Sequence, residues 1–279
     1  MWDGMVNVIT GSGYISTCLH EFLEDSITIG RSNCDYLMDL TDSLAVEKCL
    51  IDLQPDYVFH LAGVPFSDSW KEYLSGNVET TYAVLNAVEK AKCRAIVIGS
   101  AAEYGRLRMP LKESQELLPV SPYGLSMKMR TEASRYFYRR GTDVIIARLF
   151  NPIGKHLSER YAIGSFMKQL PSGVIKVGNL GMKRDFIDME DMCKAFVALA
   201  ERGHSGEAYN VCSGKSYSYG EIIELMAGES GTLVEIVVDK SRMHGNDIMD
   251  VYGSIEKITA HTGWKPEIPI QESVRRLFD

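Results

Sequence analysis

The chain has 279 residues, 45% hydrophobic and 24% charged, with a formal net charge of −7 at pH 7. That length predicts one large α/β domain, or a nucleotide-type domain with a small partner lobe, and enough chain to bury a sizeable core. An acidic balance without a basic block gives nucleic-acid binding no electrostatic footing, and no apolar run approaches the roughly 18 residues of a membrane span.

In chain order, "MVNVIT" (5–10) reads as a buried strand running into a glycine turn. "YISTCLHEFLED" follows with Ile15, Leu19, Phe22 and Leu23 at helical spacing, and "SITIG" is a second short strand ending at Gly30. "SLAVEKCLIDLQ" is helical, "PDYVFHLAG" is a strand opening into a loop, and "NVETTYAVLNAVEKAK" is a long helix with an apolar stripe through Val78, Tyr82, Leu85 and Val88. The strand "RAIVIGS", a helix over roughly 123–140 and the strand "TDVIIARLF" complete the alternation. Strands apolar on both faces, alternating with helices, predict a doubly wound parallel sheet over 1–150. Beyond "NPIG" the rhythm loosens. Helices at "FMKQL" and "MEDMCKAFVALAERG" and strands near "GVIKVG" and "EAYNVCS" predict a smaller lobe over 151–279, with some segments returning to the first domain.

The six cysteines (Cys18, Cys34, Cys49, Cys93, Cys193, Cys212) are scattered without a C-x-x-C pair, so no zinc or redox motif is expected, and no metal. The start, "MWDGMVNVIT", lacks the basic and long apolar regions of a signal peptide. A cytoplasmic protein with reduced thiols is expected.

"ITGSGYIS" (9–16) lies between a predicted strand and a predicted helix, the setting in which a glycine pattern can cradle a pyrophosphate on helix N-terminal amides. Gly11, Gly13 and Ser16 fall at offsets 0, 2 and 5, the G-x-G-x-x-G spacing with serine in third place. That third glycine chiefly allows close helix–strand packing, which a small serine can approximate. The second strand ends in Gly30-Arg31-Ser32 rather than in an acidic residue, and a cation there suits a 2′-phosphate, hence NADP, with NAD possible.

Ser100 ends "IVIGS" and Tyr123 opens the helix "SPYGLSMKMRTE". With the glycine loop and "HLAG" (60–63), these residues resemble the extended short-chain dehydrogenase/reductase family, over nearly the whole chain. "NPIG", "VGNLGMKRDFIDMEDM", "GEAYNVCSGKSYSYGEIIELM" and "TGWKPEIPIQESVRRLFD" resemble its nucleotide-sugar epimerase/dehydratase branch, nearest to the GDP-4-keto-6-deoxy-D-mannose reductases. The resemblance implies a Rossmann-like fold and NADPH-dependent reduction of the C4 ketone of a nucleotide-linked 4-keto-6-deoxy sugar. A C4 epimerase, a 4,6-dehydratase or a diverged non-catalytic nucleotide-binding member are the alternatives. It implies that Tyr123 exchanges the proton on the substrate oxygen and that Ser100 holds that oxygen. For the cofactor it implies Gly11, Ser12, Gly13, Tyr14 and Ile15 at the loop, and Arg31, Ser32, Asp39 and Leu40 beyond the second strand. Leu61, Ala62 and Gly63 lie alongside, the small residues letting the chain pass close to the adenosine half. His60 reads as structural or cofactor-adjacent.

Two departures matter. The family places a lysine four residues after the tyrosine, where its charge favours the phenolate. Here position four is Met127 and the lysine is Lys128, about 100° away around a helix. Either a π-bulge absorbs one residue, or the long side chain reaches around, or Lys128 is a solvated surface lysine and the site has lost its cation. The dehydratases also carry a glutamate two residues before the tyrosine of their "YG" motif. In "SAAEYG" that position is Ala102 and Glu103 lies one residue along, which favours a reductase. For the substrate, Arg184 and Arg242 match arginines that the family places near the nucleotide diphosphate, where arginine forks suit phosphate, and Asn151 matches a polar residue near the nucleotide-sugar. Arg184 could instead pair with Asp185 or Asp188. A homodimer is the family habit.

Overall fold

A computed structural model describes residues 4–155, 157–243 and 248–279; the first three residues of the amino-terminal stretch read above lie outside them. The first half runs β1 (Asn7–Thr10), α1 (Tyr14–Leu23), β2 (Ser26–Gly30), β3 (Tyr36–Leu37), α2 (Ser43–Leu53), β4 (Tyr57–His60) and the short α3 (Trp70–Tyr73). A π-helical turn, Leu74–Glu79, leads into α4 (Thr80–Ala91), followed by β5 (Arg94–Ser100), a 3-10 turn Ala101–Glu103, α5 (Pro122–Arg139) and β6 (Val144–Leu149). The second half runs β7 (Asn151–Ile153), α6 (Ala162–Gln169), β8 (Val174–Val177), β9 (Lys183–Asp188), α7 (Met189–Arg202), β10 (Ala208–Val211), β11 (Ser216–Ser218), α8 (Tyr219–Ser230), β12 (Glu235–Val238), β13 (Asp250–Val251), α9 (Glu256–Thr262) and α10 (Ile270–Arg275).

Seven strands form the main sheet in the order β10-β6-β5-β4-β1-β2-β3, every pair parallel. The doubly wound parallel sheet expected from the alternation is therefore present. Successive residues of its strands feed opposite layers: Ile9, Ile96 and Ile98 pack in the core under α1, α7 and α9, while Val8, Ala95 and Val97 pack in the core under α2, α4 and α5. Both faces are covered, which is why these strands carry apolar residues without polar alternation. The strand order reverses between β1 and β4, and a crevice opens there at the carboxyl ends of the strands, where such sheets bind ligands.

The smaller lobe is built on β9, which pairs with β7 and β13 in parallel and with β11 antiparallel, and on the β8–β12 pair. Its own core joins Ile153, Phe166, Ile175, Phe186, Ile223 and Val274. The chain then crosses back: α7 packs on the main sheet and β10 becomes its edge strand.

Candidate active site

The glycine loop sits at the start of the crevice. Gly11 has φ +90°, and a Cβ there would lie 3.0 Å from the Ala62 Cα, so both its conformation and the close approach of the β4 loop require glycine. Gly13 is the N-cap of α1, and nothing lies within 4 Å of where its Cβ would stand. The open space before the helix N-terminus and the tight glycine beneath it fit a dinucleotide diphosphate. Ser16, in the third glycine's place, is buried and turns its hydroxyl back to donate to the Thr10 carbonyl at 3.2 Å. It packs helix on strand as the glycine would.

Thr10 and His60 fasten the loop to β4. The Thr10 hydroxyl lies 2.8 Å from His60 Nδ1 and accepts the Leu61 and Ala62 amides, both at 3.1 Å. His60 Nε2 lies 3.0 Å from the Thr81 hydroxyl. Burial, with the Arg130 charge beside it, holds the imidazole well below its ordinary pKa, so His60 is neutral and structural.

At the far end of β2, Arg31 pairs with Asp39 at 3.0 Å, and the Ser12 and Ser32 hydroxyls lie 3.4 Å apart. Asp39 also accepts the Thr41 amide and hydroxyl at 3.0 and 2.8 Å, so it keeps its place without Arg31. Leu40 is buried beside it. The residues expected to meet the adenosine half therefore converge.

At the near end, Ser121 caps α5 by accepting the Gly124 amide at 3.0 Å and Pro122 sets the first turn, which aims Tyr123 into a cavity of about 530 Å³ between the lobes. Ser100 lines the same cavity, near enough to the Tyr123 phenol for its hydroxyl to pull that phenol down. Burial pushes that phenol up to about 12, against the pull of Ser100 and of the Arg130 charge. Tyr14, Ile15, Asn151 and Arg184 stand on the same walls. Asn151 donates to the Asp185 carbonyl at 3.0 Å. Arg184 pairs with neither Asp185 nor Asp188; its guanidinium donates to the Lys183 and Ile248 carbonyls, both at 2.8 Å. Asp185 instead accepts from Ser213, Gly214 and Gly253, and Asp188 caps α7.

Two expected residues are not brought there. Lys128 donates to the Leu117 carbonyl at 2.8 Å and lines no part of this cavity. Helix α5 is α-helical throughout, so no bulge returns Lys128 to the tyrosine's face, and the π-helical turn lies at Leu74–Glu79 instead. Met127 takes the fourth position and lines a smaller adjoining pocket of about 130 Å³ with Tyr123, Gly13 and Gly63. Arg242 ion-pairs with Asp239 at 3.4 Å and donates to the Lys176 carbonyl, away from the cavity wall; its segment continues at 244–247 outside the described residues.

Sequence reasoning did not find Arg160, Tyr161 or Arg130. Arg160 and Arg184 are the charged side chains on the described cavity wall, and Arg160 lies over the Phe66 ring at 4.8 Å. Tyr161 stacks edge-on against Tyr14 and Phe66 at 5.4 and 4.8 Å. No aspartate, glutamate, histidine or cysteine stands on that wall among the described residues. Ala102 lies on it, whereas Glu103 is fully buried and bound to Arg148, Thr131 and the Ser100 amide. Glu103 therefore offers this cavity no base.

Residues 21–277 match the family model of GDP-mannose 4,6 dehydratase. Among characterised relatives, GDP-6-deoxy-D-mannose reductase of Pseudomonas aeruginosa is 32% identical over 242 residues, covering 80% of this chain and 79% of that protein. GDP-6-deoxy-D-talose 4-dehydrogenase of Aggregatibacter actinomycetemcomitans is 28% identical over 264 residues, covering 90% and 88%. The structure of RMD from Pseudomonas aeruginosa complexed with NADPH superposes with a TM-score of 0.86 at 28% identity, covering 98% of this chain and 97% of that one. With its doubly wound sheet, its glycine cradle and its Ser100–Tyr123 pair, the chain belongs to the GDP-mannose 4,6-dehydratase family.

Proposed function

We propose that this protein is an NADPH-dependent reductase of the C4 ketone of a nucleotide-linked 4-keto-6-deoxy sugar. The observation that carries this reading is the composition of the large cavity. A serine–tyrosine pair stands on a wall without a carboxylate among the described residues, in a chain related to a GDP-6-deoxy-D-mannose reductase. Proton removal from a sugar carbon, as a dehydratase requires, has no base there. Delivery of a proton to a ketone oxygen needs a group that holds one, and burial, which pushes the Tyr123 phenol up to about 12, keeps its proton on until the oxygen takes it.

NADPH, when bound, supplies the hydride. Gly11, Ser12, Gly13, Tyr14 and Ile15 hold its diphosphate, with Leu61, Ala62 and Gly63 alongside. Arg31, Ser32, Asp39 and Leu40 meet the adenosine half. The Arg31–Asp39 pair is exposed and worth little, so Arg31 can turn to a 2′-phosphate at small cost. Ser100 hydrogen-bonds the ketone oxygen, and Tyr123 gives that oxygen its proton as the carbon gains hydride. The phenolate that remains regains a proton from water. Asn151 and Arg184, joined by Arg160, orient the nucleotide diphosphate. A homodimer is part of the proposal, supported by exposed Tyr82 on α4 and Leu125 and Tyr136 on α5. So is a cytoplasmic setting, where six unpaired cysteines stay reduced.

The test is absorbance at the reduced nicotinamide band with GDP-4-keto-6-deoxy-D-mannose, with NADPH and NADH compared. Loss of NADPH in step with appearance of the 4-hydroxy sugar is expected. Interconversion of 4-epimers without net NADPH loss, or water elimination from GDP-mannose, overturns the reading.

A further inference from the structure

With Lys128 turned away, the site's cation has to come from elsewhere, and α5 carries one. Arg130 is seven residues from Tyr123, so it returns within about 20° of the same helical direction, two turns (~10.5 Å) further along. Arg130, Met127 and Tyr123 line the same small pocket. Arg130 is only 1% exposed. Its Nε donates to the Asn77 carbonyl at 3.0 Å, one terminal nitrogen to the Ile98 carbonyl at 3.3 Å, and the other to the Ala62 carbonyl at 2.5 Å. The cage is built for it: Asn77 lies in the π-helical turn, and Gly63 is a residue whose Cβ would stand 3.4 Å from the guanidinium.

No carboxylate forms an ion pair or hydrogen bond with Arg130 among the described residues; its fork is bound to carbonyl dipoles. Of the other titratable groups around this pocket, Glu103 acts on that charge from a distance, out of contact with it. Glu103 is bound to Arg148, His60 is neutral through burial, and burial raises the Tyr14 and Tyr161 phenols. Tyr123 and Arg130 line the same pocket, where the Arg130 charge draws the Tyr123 phenol down against its burial. Burial lowers the Arg130 guanidinium from its ordinary value but leaves it cationic, as a guanidinium is throughout the range in which a fluorophenol titrates.

We propose that Arg130 supplies the positive charge that acts on Tyr123, in place of a lysine four residues after it, and that Lys128 has no part in the chemistry. The inference rests on the reading of Tyr123 as the proton donor. Arg130 works through Tyr123 as a positioning residue: its charge stabilises the phenolate left when the proton has gone.

The test needs neither substrate nor cofactor. The whole protein is labelled with 3-fluorotyrosine, whose phenol is more acidic, and the Tyr123 fluorine resonance is assigned by its loss in Tyr123→Phe. Its titration midpoint is expected to rise by about one pH unit in Arg130→Met, to return in Arg130→Met with Met127→Lys, and to stay put in Lys128→Met. With substrate, the same variants should show a fall in kcat of about ten-fold for Arg130→Met. An unchanged midpoint in folded Arg130→Met, or a shifted one in Lys128→Met, overturns the proposal. If Arg130→Met does not fold, Arg130→Lys and Lys128→Met decide it, the former expected to keep the midpoint within half a unit of the parent (roughly, since the charge is kept). A midpoint that moves as expected in a protein that reduces no keto-sugar leaves Arg130's role standing and refutes the reductase reading alone.

Discussion

Glu103→Gln is expected to cost this protein several kcal/mol although it changes a single atom type. Glu103 and Arg148 are both 0% exposed. One carboxylate oxygen accepts the Ser100 amide at 2.7 Å, and the other accepts the Thr131 hydroxyl at 2.7 Å and Arg148 Nε at 3.2 Å. Glutamine keeps its oxygen on the Ser100 amide and then presents an NH₂ group to the Arg148 N–H. Donor faces donor, and the guanidinium loses its counter-charge. Arg148 is already short of partners, since Nη2 has none and Nη1 reaches only the Tyr104 hydroxyl at 3.1 Å. Removing one partner of a buried pair costs about 3–5 kcal/mol. At roughly 2 °C per kcal/mol for a chain of this size, Tm falls by about 6–10 °C. Urea denaturation and thermal melting followed by circular dichroism measure both. Glu103→Leu with Arg148→Met, which removes the charges together, should recover most of the loss. Because Glu103 also closes the capping box on Ser100, kcat for Glu103→Gln should fall as well. A loss below about 0.5 kcal/mol, the range of an ordinary surface change, would refute the claim that the Glu103–Arg148 pair holds this corner.

Arg31→Ala should raise the Kd for NADPH about ten-fold and leave that for NADH unchanged, as read by nicotinamide fluorescence; equal effects on both would remove Arg31 from the 2′-phosphate. Gly11→Ala places a methyl 3.0 Å from the Ala62 Cα at φ +90°, so binding of either dinucleotide should be lost beyond measurement. Asp185 gives a pH signature. Burial raises its carboxyl from 3.8 to about 6, so the folded chain holds an extra proton between those values. Its contribution to stability is full below about pH 4, declines as pH rises through 6, and is flat above, an effect of ~3 kcal/mol. Denaturation from pH 4 to 7 should show this slope in the parent and not in Asp185→Asn.

Most of the sheet was legible because its signals are local. Strands of four to seven apolar residues, bounded by glycine turns, are β1, β2, β4, β5 and β6 within a residue or two, and "MEDMCKAFVALAERG" is α7 with its glycine as the C-cap. What escaped depends on long-range partners. Tyr36–Leu37 is exposed and becomes β3 only by pairing with β2. The π-helical turn at Leu74–Glu79 has no sequence mark apart from the company Asn77 keeps with Val64 and Ser126. At the site, the glycine loop, Ser100 and Tyr123 carry their spacing in the sequence. Arg130 was legible in principle as a cation seven residues after the tyrosine. No local pattern, however, says that three carbonyls from separate segments will enclose it. Arg160 reaches the cavity wall only because the smaller lobe folds over the sheet.

The edge strand β10 is made from residues 208–211, and α7, which covers β5 and β6, is made from 189–202. During synthesis the ribosome therefore releases the first 150 residues with β6 as a bare edge and one face of the sheet covered by α1 alone. The binding crevice is laid down early, yet its supporting layer arrives only after the chain has passed through the whole β8–β9 region. A nascent chain stalled near residue 150 would be a client for chaperones rather than a finished nucleotide-binding unit.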